Sequence, residues 1–152
     1  CISNQSYIVH PDGFTIPYDS EKIHGISTQL AKKIGVDISF VLNKFQEDLK
    51  KSQFICGHNL NFDEKIMGSE YLRSNGNNPL QDFPKIDTCT EETAGICMLK
   101  GGRGRKFKLP TLMELYTHLF NEKFESAHNA SADVEATALC LFKLLKEQKL
   151  KK

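Results

Sequence analysis

The sequence predicts an α/β protein: a mixed sheet flanked by helices. Short apolar runs that stop at turn residues alternate with longer segments whose apolar residues recur every three or four positions. At 152 residues the chain fits one domain, residues 1–152, with room for one sizeable core. The 20 Lys+Arg stand against 19 Asp+Glu, a net charge of +1, so no global field announces a polyanionic partner and any basic surface is local.

In chain order, residues 6–9 (S-Y-I-V) read as a short strand, stopped by His10-Pro11-Asp12-Gly13. Ile16-Pro17-Tyr18 reads as extended loop. A short helix is expected over residues 28–33, closed by Gly35. Asp37 caps the next helix, where Ile38, Val41, Leu42, Phe45 and Leu49 mark an apolar face. Residues 54–57 are long enough only for a buried strand. Phe62, Ile66, Met67 and Tyr71 then keep helical spacing, and residues 74–85, with their Asn, Gly and Pro, form a loop. A brief strand follows at 86–88, parallel to 54–57, and a helix over 90–99. Residues 100–108 (K-G-G-R-G-R-K-F-K) are a glycine-rich basic loop. Thr111 and Glu114 spell a capping box behind Pro110. The final helix runs from about Ser131 to Lys149, with Ser131 or Asn129 as its cap.

Two stretches carry the chemistry. In H-N-A-S-A-D-V-E-A-T (128–137) an imidazole and a carboxylate stand five residues apart across a helix start. Asp133 falls in the first turn, where the helix dipole favours a negative charge. A helix-held carboxylate beside a titratable base is what metal-assisted phosphodiester hydrolysis asks for. Taken alone, the same letters suit ordinary capping better. In F-I-C-G-H-N-L-N-F-D (54–63), Gly57 permits a sharp exit from a strand, Asn59 can tie down the turn with its amide, and Asp63 arrives at a helix start facing a crevice at the strand's carboxyl end. Capping by Asp63, and a hydrogen-bonded strand-end role for His58, remain equally good readings of that stretch.

Taken together, G-H-N-x-x-F-D followed by H-x-A-x-x-D resembles the second and third motifs of the DnaQ-like (DEDDh-type) 3′–5′ exonucleases, the family of the proofreading ε subunit of bacterial DNA polymerase III. I-H-G-I-S (23–27), Asp87-Thr88 and L-P-T-L-M-E-L-Y (109–116) match further segments in order. The resemblance implies an RNase H-like fold and hydrolysis of nucleic acid from a 3′ end, with single-stranded DNA the favoured substrate and a DNA polymerase subunit as an expected partner. It assigns Asp63 and Asp133 to metal binding and His128 to general-base work. Two divalent ions, Mg²⁺ or Mn²⁺, about 4 Å apart activate the water and stabilise the leaving oxygen in that family. His24, Gly25 and Ile26 would lie against the terminal nucleotide. His58 and Asn59 accompany Asp63, and Arg103 and Arg105 in the basic loop suit phosphate contact. His128 must be neutral to act, so activity should rise with pH through roughly 6.5.

One departure stands out. The family's first motif, an Asp-x-Glu on the first strand, has no match here. The chain opens at Cys1 and reads as a fragment that lacks the first two strands, about 20–30 residues at ordinary strand and loop lengths. Two alternatives stay open: an RNA-trimming relative of the RNase T or oligoribonuclease sort, and a catalytically inactive module that binds nucleic acid or a polymerase. Five widely spaced cysteines with no C-x-x-C pair speak against a disulfide framework or structural zinc and fit the reducing cytoplasm. No apolar run has the length of a membrane span.

Overall fold

The computed structural model describes residues 3–102, 104, 106–124 and 129–149. Its helices are α1 (Tyr18–His24), α2 (Thr28–Ile34), α3 (Ile38–Leu49), α4 (Leu60–Asn75), α5 (Glu91–Cys97), α6 (Leu112–Phe120) and α7 (Ala130–Lys146). Two strands, β1 (Ile55–Gly57) and β2 (Lys85–Asp87), pair in parallel with Cys56 opposite Ile86 and Gly57 opposite Asp87. The protein is therefore α/β, and the parallel pair lies where the apolar runs predict it. No helix among the described residues is long and apolar enough to cross a membrane.

The chain divides into two compact units. The first comprises Cys1–Gln53 and Lys65–Asp82, the second Phe54–Glu64 and Phe83–Lys152. In the first, the expected strand at 6–9 reduces to one parallel bridge, Val9 to Val36. Its backbone bonds run from His10 N to Val36 O (2.9 Å) and from Val36 N to Ile8 O (2.8 Å). Gly35 closes α2 at this bridge, where an added Cβ would meet the Ala31 carbonyl oxygen at 2.3 Å and His10 N at 2.6 Å. Asp37 caps α3 as the sequence indicates, accepting from Ser39 N. Tyr71 is buried and donates its hydroxyl to Leu42 O at 2.6 Å, fixing α4 to α3.

Helix α1 corrects the sequence reading, which takes Tyr18 as part of an extended loop. Pro17 stands at its N-cap and Asp19 and Glu21 fill its first turn, the combination that favours helix initiation. His24 is accordingly the last residue of a helix, and Gly25 its left-handed C-cap at φ 74°.

The second unit is built on α6 and α7, whose facing residues Leu115, Tyr116, Leu119, Ala136, Cys140 and Leu144 form the core. The predicted capping box is present at α6: Thr111 accepts from Glu114 N while Glu114 accepts from Thr111 N. A second box, Thr90 with Thr93, starts α5. Asn129, one of the two caps foreseen, starts α7 by accepting from Ser131 N and Ala132 N. Cys140 is fully buried, and burial first, then the neighbouring Cys97 and Cys56 thiols, push its thiol up to about 12.

Candidate functional site

The second unit holds Asp63 and Asp133, each in the first turn of its helix. Asp63 follows β1 by way of a tight turn. Asn59 takes up the left-handed conformation at φ 65°, an arrangement Asn tolerates better than most residues. The turn is held chiefly by the Asp87 carboxylate at the end of β2. Its Oδ1 accepts from Asn59 N (2.9 Å) and from Cys89 N (2.8 Å), and its Oδ2 from Leu60 N (2.9 Å). Asp87 thus supplies, from the neighbouring strand, the anion that the start of α4 calls for.

Asp63 is exposed on α4, yet its carboxyl sits above the usual carboxylate range. Protein packed beside it disfavours the charge, and Asp87 adds repulsion.

His58 is held at both ring nitrogens. Nε2 lies 2.9 Å from the Pro110 carbonyl oxygen, an acceptor only, so Nε2 carries the proton. Nδ1 lies 2.9 Å from the Thr88 hydroxyl, itself 3.1 Å from Gly57 O. Burial pushes the imidazole below its ordinary pKa against the opposing pull of the Pro110 carbonyl and of Asp87. The neutral ring donates to Pro110, the single proton of the Thr88 hydroxyl serves either Nδ1 or Gly57 O, and the ring links β1, β2 and the entry to α6. The strand-end reading describes these bonds, and Thr88, fully buried, is a partner the sequence reading passed over. The signal was present: Asp87-Thr88-Cys89 mixes an acid and two small hydrogen-bonding residues directly after a strand.

Asp133 lies on α7 three, four and seven residues before Ala136, Thr137 and Cys140, all buried, so it shares their face of the helix. That inner face packs against α6 and β1. Asp133 itself is half-buried in the first turn.

The other candidates are distributed as follows. His24, Gly25 and Ile26 belong to the first unit, where His24 Nδ1 accepts from Ile26 N at 3.0 Å and folds the segment into a compact turn. His128, Arg103 and Arg105 lie outside the described residues. Lys100 and Phe107 form an antiparallel bridge, and Lys108 pairs with Glu114 at 2.6 Å.

Hard oxygen donors suit Mg²⁺ or Mn²⁺, so Asp63 and Asp133 fit such ions in kind. They fall short in number: among the described residues no group of three or more His, Cys, Asp or Glu side chains gathers to hold a metal. No protein-family model matches the chain, and no curated protein matches it by sequence.

Proposed function

We propose that the chain is a metal-dependent 3′–5′ exonuclease domain of the DnaQ-like, RNase H-like kind, acting on single-stranded nucleic-acid 3′ ends, DNA in preference to RNA. The observation that supports this best is the matched setting of the two acids. Each stands in the first turn of a helix, Asp63 directly beyond β1 and Asp133 in α7, a helix that contacts the same strand. The order and spacing of the motifs add to it.

In this reading Asp63 and Asp133 hold divalent cations. When bound, such ions supply a nucleophile at neutral pH and charge stabilisation for the leaving 3′ oxygen. His128 takes the proton from the attacking water. The resemblance assigns His24, Gly25 and Ile26 to the terminal nucleotide and Arg103 and Arg105 to phosphates. A polymerase subunit is the partner expected for a proofreading activity.

The test is an assay on 3′-labelled and 5′-labelled single strands of DNA and of RNA with Mg²⁺. Stepwise shortening from the 3′ end, faster on DNA, is the expected result. His128→Ala should slow it by about 10²–10⁴-fold, and Asp133→Asn comparably. Undiminished cleavage in both variants would remove the reading.

A further inference from the structure

We infer that Asp87 is the positioning residue of the candidate site: its carboxylate sets the start of α4 and thereby fixes where Asp63 points. This rests on the exonuclease reading for the role of Asp63, but its geometry stands apart from it. One side chain gathers three backbone N–H groups, from Asn59, Leu60 and Cys89, at 2.8–2.9 Å. Two of these donors lie at the β1–α4 turn and the third lies just beyond β2 itself. The only φ, ψ freedom between β1 and Asp63 sits in this short connection, and Asn59 is already in a left-handed conformation that costs free energy unless its neighbours hold it. With Asp63 three residues after Leu60, less than one helical turn on, a rotation at the helix start carries directly to its carboxylate.

The remaining contacts of this corner serve a different end. Thr88 and His58 tie the strand ends to Pro110, which secures packing without touching the backbone amides of the turn. The two neighbours Asp87 and Thr88 therefore divide the work: the first orients, the second fastens.

The division can be measured with Asp87→Asn and Thr88→Val in the whole protein. An amide in place of the carboxylate keeps one oxygen and turns an NH₂ towards Leu60 N or towards the other two donors, so at least one of the three bonds is lost. Backbone amide exchange by NMR should quicken at Asn59, Leu60 or Cys89 by about tenfold or more in Asp87→Asn, with β1 and α7 amides unchanged. The Mg²⁺ concentration for half-maximal nuclease rate should rise about 10-fold or more, with KM for the oligonucleotide little changed. Thr88→Val should lower the melting temperature and leave the Mg²⁺ requirement where it was. Unchanged exchange in Asp87→Asn overturns the inference. So does an equal rise in Mg²⁺ requirement in Thr88→Val, because general loosening would then account for both. If the wild-type protein shows no Mg²⁺-dependent nuclease activity, the exonuclease reading fails. Binding of Mn²⁺ to Asp63, read by paramagnetic broadening of its neighbours in wild type and Asp87→Asn, then decides the positioning role, which falls if the two proteins respond alike.

Discussion

His58 shows how one side chain fixes a pH range. Its folded-state pKa lies below that of the free imidazole, so the unfolded chain takes up the proton first as acid is added. Stability from this group is full above pH about 6.5 and is lost as pH falls below that value. His58→Ala should cost about 1–3 kcal/mol at pH 7.5, because Thr88 and the Pro110 carbonyl lose a buried partner, and it should remove the decline near pH 6. Urea unfolding midpoints at pH 7.5 and 5.5 check both. Asp63 has the opposite sense. Its carboxyl is raised in the folded protein, so the protonated form is favoured there, and this contribution is lost as pH rises through the folded pKa. Asp63→Asn should therefore melt slightly higher at neutral pH, by no more than about 2 °C for an exposed residue, with the difference gone below pH about 3.8. At this scale the sequence named the acids and their helix starts. The trans-strand cap by Asp87 stayed out of view, because a carboxylate that serves another segment's amides leaves no local spacing to read.

Elements were legible where their signals are short-range. Capping at Thr111, Asn129 and Asp37 is local chemistry, and all three occur as read. Thr111→Ala should cost about 1 kcal/mol by removing the acceptor for Glu114 N, measurable by urea unfolding. Gly35 was read as a helix stop, and the structure adds a reason: a side chain there collides with backbone that cannot swing aside. Gly35→Ala should cost about 1–3 kcal/mol. Helix α1 was missed because Ile16-Pro17-Tyr18 was read as extended loop, whereas Pro17 stands at the start of a helix. The strand at 6–9 became a single bridge because strand formation depends on partners distant in sequence, which apolar content does not reveal.

Across the molecule, apolar residues are left at the surface. On α7, Val134 is 64 % and Phe142 67 % exposed, and on α4 Phe62 is 63 % exposed. The buried arc of α7 is that of Ala136, Thr137, Cys140, Leu141 and Leu144, and Val134 and Phe142 lie outside it. Exposed apolar surface of this kind favours self-association. Phe142→Lys should lower binding of a hydrophobic dye and reduce the sedimenting fraction at high concentration, with unchanged circular dichroism.

Cys140 carries a last consequence. Its thiol is sealed in the α6–α7 core and holds its proton far above neutral pH, so an alkylating reagent at pH 8 reaches it only when that core opens. With Cys56, Cys89 and Cys97 replaced by serine or alanine and Cys1 removed, the rate at which iodoacetamide adds mass would clock the opening of these two helices, one molecule at a time, without any denaturant.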